Sequence, residues 1–151
     1  MGQQVYPAGH WVSFTPTLMY SGTFSLGNGT LSGKYMMLNK TCFLTVALYI
    51  GSTTNTNTST GWYFNCPAGV PVPKNDSLYP QAIGTYGAYD ATGPLYVGVS
   101  RQGQNSPNIT CGAAYLGSAP GYVGSGGLAY NTPFTWAVGD YLTAQLTFET
   151  N

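Results

Sequence analysis

The sequence predicts an all-β domain, and three features of its composition indicate this. Only 5% of the 151 residues are charged, so the i,i+4 ion pairs that support surface helices are nearly absent. The chain also contains 21 glycines and 10 prolines, which are poor helix formers. Aromatic residues make up 15% of the chain, a content that favours strands and argues against disorder. A chain of this length is expected to fold as one domain.

The clearest strand signals lie in residues 31–50. In the segment 43–50, four apolar side chains share one face: Leu44, Val46, Leu48 and Ile50. The other face is also fairly apolar, so we expect a central strand covered on both sides. Residues 31–38 alternate in the same way. Between the two runs, Asn39-Lys40 predicts a two-residue hairpin because Asn tolerates a positive φ.

The remaining strands complete a sandwich-like pattern. A strand is predicted over 141–149, where every second residue is apolar, and another over 134–138, which ends in a turn at Gly139-Asp140. Weaker strands are expected over 12–18, 62–66, 83–89, 95–101 and 109–116. Pro16 marks an edge or a bulge in the first of these. Eight or nine short antiparallel strands separated by turns predict a jelly-roll-like β-sandwich.

The domain organisation is simple. Residues 1–10 are expected to be a lead-in at a point where the chain was cut from a longer protein, and residues 11–151 to form the single domain. The irregular stretch 117–133 is the longest predicted loop. The odd number of cysteines excludes a closed disulfide framework. Two alternatives stay open for Cys42, Cys66 and Cys111: buried thiols in a reduced compartment, or one bridge plus a free thiol.

Charge and spacing exclude several functions. Four basic and four acidic side chains leave no net charge, so neither nucleic acid nor a membrane surface is an expected partner. No Cys/His spacing predicts a metal, and no cofactor is expected. The single histidine, His10, has no carboxylate placed to form a catalytic triad. Asp76 and Asp90 are the acids that could pair in a glycosidase, but solvated loop acids explain them better. The sequence therefore predicts no enzyme.

Tyrosine provides the main binding signal. The chain contains 13 tyrosines, and tyrosine offers a large rigid contact surface plus a hydroxyl group. The residues predicted to contact a receptor are Tyr122 and Tyr130 in the stretch 117–133, and Tyr86 and Tyr89 in the segment 84–94. A nearly neutral surface predicts a neutral or weakly charged ligand, and binding that salt alters little. The partly apolar second face of the central strand predicts a subunit interface, with Met36, Phe43 and Tyr49 as its candidates.

A scattered pattern of aromatics and glycines resembles one known family. It comprises residues 11–18, 26–35, 42–50, 61–67 and 133–142. In order and spacing these segments resemble the C-terminal domain of phage tail fibre and minor tail proteins, especially those of phages that infect actinobacteria. The resemblance covers most of the chain from Trp11 to Glu149. It does not extend to the three cysteines or to the proline-rich stretch 67–80.

The resemblance implies a jelly-roll-like homotrimer at the distal tip of a tail fibre. Such a domain is made in the host cytoplasm, becomes part of the virion, and adsorbs to a host surface receptor that is often a carbohydrate. Residues 1–10 would then join the rest of the fibre. Two alternatives remain: a structural trimerisation cap that contacts no receptor, and a glycan hydrolase.

Overall fold

The computed structural model of the chain describes residues 9–19, 24–57, 62–71, 81–102, 108–116, 123–125 and 128–150. These residues form ten strands and no helix, so the all-β prediction is confirmed. The strands are β1 Val12–Phe14, β2 Leu18–Met19, β3 Thr30–Leu38, β4 Thr41–Tyr49, β5 Tyr63–Asn65, β6 Gln81–Tyr89, β7 Leu95–Gln102, β8 Asn108–Leu116, β9 Val123–Ser125 and β10 Tyr141–Glu149. In this described part, no helix is long and apolar enough to span a membrane.

All ten strands belong to one antiparallel sheet. Its six long strands, of eight or nine residues each, are neighbours in the order β3-β4-β10-β6-β7-β8. Short strands extend it on both sides: β1 pairs with β3, while β5 and then β2 follow β8. β9 also pairs with β8. The last strand of the chain therefore lies between β4 and β6, in the middle of the long strands.

The β3–β4 hairpin forms as the sequence predicts. Asn39 has a φ of 53°, which its short polar side chain tolerates in a tight turn. Pairing then runs without a break from Leu38 opposite Thr41 to Thr30 opposite Tyr49. The strand predicted over 141–149 is also confirmed, and its apolar residues are all buried.

The sheet curls until its two ends approach each other. β1 and β2 lie at opposite ends of the strand order, yet only residues 15–17 separate them. At roughly 3.5 Å per residue, the Cα atoms of Phe14 and Leu18 lie within about 14 Å. A flat sheet of nine strands in a row would hold its ends roughly 38 Å apart. Pro16, which has no N–H to donate, lies at the break between the two strands.

Curling gives the sheet an inner face and an outer face. One hydrophobic cluster fills the inner face, and it unites β4, β10, β6, β2 and β5. Its most completely buried large side chains include Trp62, Tyr86, Phe64, Leu44 and Leu48. The expectation that β4 is covered on both sides is wrong for the single chain. On its outer face Ala47 and Tyr49 are exposed, because no other element of the described chain packs there.

Three local predictions need correction. The strand expected over 12–18 is broken into β1 and β2 at Pro16. No strand forms over 134–138, where Val138 is 59% exposed. This segment instead lays Trp136 against Trp62, with ring centroids 5.0 Å apart, so aromatic packing places it. The stretch 117–133 was expected to be irregular, but it contains β9.

A substitution at Gly84 tests the pairing of β6 with β10. A Cβ atom at this position would meet the backbone carbonyl oxygen of Gln145 and lie 2.8 Å from the Cα of Leu146. Because backbone cannot move aside as a side chain can, Gly84→Ala is expected to destabilise the fold by about 3 kcal/mol. Gly87→Ala on the same strand is the control, since its Cβ would lie 3.4 Å from Leu95. Urea denaturation of both variants measures the difference, and equal midpoints would contradict the pairing.

The buried thiols predict a loss of stability at alkaline pH. Burial raises the pKa of the Cys42 thiol from 9.0 to about 12, and the neighbouring Cys66 adds to this shift. Burial likewise raises the pKa of Cys66 to about 11. The unfolded chain therefore loses these protons at a lower pH than the folded chain does. The contribution of the two thiols to the free energy of unfolding is complete below pH 9 and is lost as the pH rises towards 11–12. Urea midpoints measured from pH 8 to 11 should fall less steeply for Cys42→Ala than for the wild type; parallel curves would refute this.

Candidate functional site

The outer face of the sheet is a broad surface that the elements of the described chain leave uncovered. Because side chains alternate along each strand, every second residue of β3, β4, β10, β6 and β7 points to this face. The strands are in register, so these outward residues form rows that run across the sheet. The candidate site combines two kinds of row, one of aromatic side chains and one of mostly short side chains.

The first kind is a row of aromatic side chains at one end of the face. Tyr49 pairs with Tyr141, and Tyr141 pairs with Tyr89 on its other side. We call Tyr49, Tyr141 and Tyr89 the tyrosine row. Tyr141 is 40% exposed and Tyr49 45% exposed, and the rings of Tyr89 and Tyr141 stack at 4.7 Å. With strands about 4.8 Å apart, the three Cα atoms span roughly 10 Å. The row is a rigid aromatic platform open to solvent.

The second kind is a band of mostly short side chains beside this platform, four of them polar. One step along the strands from the tyrosine row lie Ala47, Thr143 and Gly87, and the next step brings Thr45, Gln145 and Thr85. Because these residues are short, the surface sinks into three overlapping depressions of about 410, 490 and 220 Å³. Gln145 lines all three depressions. We call this band the trough.

The polar groups of the trough are available to a ligand. Within the described part of the chain, no hydrogen bond occupies the side chains of Gln145, Thr143 or Thr85. The Thr45 hydroxyl is partly engaged, since it donates to the Lys34 carbonyl oxygen at 3.5 Å. A primary amide and several hydroxyls can each both donate and accept. The trough therefore offers hydrogen-bonding groups of both kinds next to an aromatic surface.

One charged side chain borders the trough. Lys34 pairs across the sheet with Thr45 and lines the two larger depressions. Its Nζ lies 5.0 Å from the centroid of the Trp11 ring, a distance at which the cation and the ring attract each other. Trp11 is 49% exposed. Together they place a positive charge and a second aromatic surface at the side of the trough away from the tyrosine row.

The four tyrosines predicted to contact a receptor differ in their location and exposure. Tyr89 lies in the tyrosine row, on a strand. Tyr86 was expected to contact the receptor, but on β6 it is only 2% exposed, with its ring against Gly98 in the core. A core side chain cannot reach a receptor, so that assignment is withdrawn. Tyr130 is 42% exposed in a turn outside the row. Tyr122 lies outside the described residues.

The three predicted interface residues all lie on the outer face but not together. Met36 and Phe43 are a cross-strand pair, and both are half-buried. Tyr49 lies six residues further along β4, roughly 20 Å away. It belongs to the tyrosine row, so one small contact patch cannot include all three residues.

Two central residues of the site were not predicted as site residues. Tyr141 and Gln145 were assigned to the polar face of the last strand, which is correct, but no function was given to them. The alternation in 141–149 indicates only that they face outward. Their importance depends on β10 lying between β4 and β6, and strand order is not visible in a period-two pattern.

The described acids have structural roles. Asp140 is 2% exposed, and its carboxylate accepts hydrogen bonds from the backbone N–H groups of Ala91, at 2.8 Å, and Ala137. Asp90 accepts from the backbone and hydroxyl of Thr92 within its own turn. Asp76, the acid that could pair with Asp90 in a glycosidase, lies outside the described residues. Within the described ranges, no group of three or more His, Cys, Asp or Glu could hold a metal ion.

Comparisons with protein-family models, with curated proteins and with solved structures find no match for this chain.

Proposed function

We propose that this chain is the tip domain of a phage tail fibre, and that it binds a carbohydrate on the host cell surface without cleaving it. The domain acts as a homotrimer in the virion and joins the rest of the fibre through its N-terminal segment. It uses the outer face of the sheet, where the tyrosine row adjoins the trough. This juxtaposition is the observation that carries carbohydrate binding, while the place in a tail fibre is proposed from the sequence resemblance.

A sugar fits both parts of this face. One side of a pyranose ring is apolar and stacks on aromatic rings, and the two rings of Tyr89 and Tyr141 already form a stacked pair. The hydroxyls of the sugar need partners that both donate and accept, as Gln145 and the threonines of the trough do. A bound sugar would thus lie with its ring on the tyrosines and its hydroxyls over the trough.

The polarity of the trough favours a sugar over a subunit interface. The buried centre of a homo-oligomer interface is mostly apolar, about 65% by area. The middle of the outer face instead holds threonines, a glutamine and a lysine. We therefore assign the trough to ligand and place the trimer contacts elsewhere, with Met36 and Phe43 at the far end of the face as candidates.

The jelly-roll-like sandwich belongs to this proposal as well. Two observations support it. Residues 15–17 join the two ends of the strand order, so the sheet folds over on itself. One hydrophobic cluster also contains both Leu44 of β4 and Phe64 of β5, although four strands lie between β4 and β5 in the order. A jelly-roll-like sandwich would bring distant parts of one sheet around a common core in this way.

A structural trimerisation cap is the second candidate function. Exposed apolar side chains on the outer face favour it: Leu95 is 55% exposed and Val97 42% exposed on the neighbouring β7. A cap of this kind would bury the outer face between subunits and would bind no cell. The oligomeric state by light scattering, together with cell binding, distinguishes the two functions.

Cell binding by the isolated domain tests the proposal. The fluorescently labelled domain is mixed with candidate host cells before and after enzymatic removal of their surface polysaccharide. We expect binding to intact cells and its loss on stripped cells. Single sites that bind at millimolar to micromolar Kd become strong adhesion when three act together, so light scattering should show a trimer. A monomer, or binding that survives stripping, would count against the proposal.

A further inference from the structure

We infer that the carbohydrate bound at the trough is anionic, with one carboxylate or phosphate group placed against the ammonium of Lys34. This inference rests on the proposed function and adds the chemical class of the ligand. Of the neutral or weakly charged ligands that the overall composition predicts, it selects the charged kind, and it replaces the expected insensitivity to salt with a moderate salt dependence.

The positive charge of Lys34 lies at the edge of the trough. Among the residues that line the three depressions, Lys34 alone carries a charge. It lines the two depressions that meet over Thr45 and Gln145, so an anion there would lie beside the hydroxyl and amide groups already assigned to the sugar. The ligand would then contact aromatic, neutral polar and cationic groups in that order across the face.

The described part of the chain places no acid against the Lys34 ammonium. Within the described part of the chain, no carboxylate forms an ion pair with Lys34. Asp140 is buried and Asp90 caps its own turn. Glu149 pairs across the sheet with Thr41, at the far end of β4 from the tyrosine row and several residues from the Lys34–Thr45 pair. The chain has only four basic residues. A cation that borders a depression and has no acidic partner among the described residues is complementary to a negative ligand.

The Lys34 ammonium is positioned by a neighbouring aromatic ring. The Trp11 ring, 5.0 Å from Nζ, restrains a side chain that would otherwise lose several rotamers on binding. Because the Lys34 side chain is already restrained, it loses less conformational entropy when it binds an anion. A single contact between its ammonium and an anionic group can therefore contribute measurable affinity. On an exposed surface we expect that contribution to be about tenfold in Kd.

Chemically matched polysaccharides test the inference. Polysaccharide released from cells that bind the domain is used in three forms: untreated, with its carboxylates reduced to alcohols, and with its phosphates removed. Binding should weaken about tenfold with one of the two treatments, and that treatment identifies the anionic group. In the untreated form, rising salt should weaken binding moderately, as expected for one screened contact.

Variants of Lys34 complete the test. Lys34→Gln should bind the untreated polysaccharide only as well as the wild type binds the neutralised one, and Lys34→Arg should restore most of the difference. Lys40→Gln, in the exposed hairpin, is the matched control and should bind like the wild type. Equal binding of all three forms by the wild type would overturn the inference while leaving the proposed function intact. A Lys34→Gln variant that changes oligomeric state instead of binding would also overturn it. Failure to bind any host cell would refute the proposed function itself.

Discussion

Replacing Tyr89 and Tyr141 together by alanine is expected to reduce binding to host cells on the order of tenfold to a hundredfold. Each stacked aromatic contact contributes about 0.5–1.5 kcal/mol, and the pair presents two adjacent rings at 4.7 Å. Several sites on one particle multiply the loss, because every site in a multivalent contact is weakened at once. Flow cytometry of labelled cells over a range of domain concentrations measures the change.

Matched variants separate a loss of contact from a loss of structure. Tyr89→Phe with Tyr141→Phe keeps both rings and should retain most of the binding. Val138→Ala removes an exposed apolar side chain outside the row and should have no effect. If Tyr130→Ala abolishes binding while the double alanine variant adsorbs normally, the receptor contacts the turn that contains Tyr130 and the tyrosine row has no role.

Leu48→Ala should destabilise the fold by about 2–5 kcal/mol, the largest effect we expect from a single core truncation. Leu48 is 1% exposed on the inner face of β4, where it lies opposite Leu142 of β10 and Leu31 of β3. Removing its branched end loses transfer free energy and leaves a cavity that neighbours on two paired strands cannot collapse into. Urea denaturation measured by tyrosine and tryptophan fluorescence gives the difference in unfolding free energy.

Two further variants on β10 compare an inner-face position with an outer-face position. Leu146→Ala, 3% exposed on the partner strand, should cost a similar amount. Thr147→Ala, the next residue along β10 but on the outer face, should change stability by less than about 0.5 kcal/mol. Equal losses for the inner and outer positions would contradict the assignment of the two faces.

Local patterns predicted the individual strands well, and the reason is physical. Alternation in residues 43–50 and 141–149 reflects burial on one side of a strand, which each segment records by itself. The turn at Asn39 is likewise encoded in two residues. The segment 134–138 misled the same reasoning, because its alternating Phe134 and Trp136 pack as irregular chain against aromatic rings from elsewhere.

The site was less predictable because it depends on strand order. The tyrosine row brings together residues 49, 89 and 141, which are far apart in the sequence and adjacent only when β10 pairs with both β4 and β6. Tyr86 and Tyr89 lie three residues apart yet on opposite faces of β6, so assigning both to the receptor contact could not separate the core residue from the exposed one. Which tyrosines are exposed follows from the register of three strands, and no single segment contains that information.

The central position of β10 has a consequence for how the protein is made. This strand is synthesised after the other nine, so while it is still inside the ribosome the growing chain exposes the unpaired edges of both β4 and β6. Such edges can pair with another nascent chain, and a fold built from pairings between distant segments forms slowly. A chain truncated before Tyr141 should therefore yield insoluble protein, and a chain that contains β10 should be prone to aggregate until this strand emerges and pairs with β4 and β6.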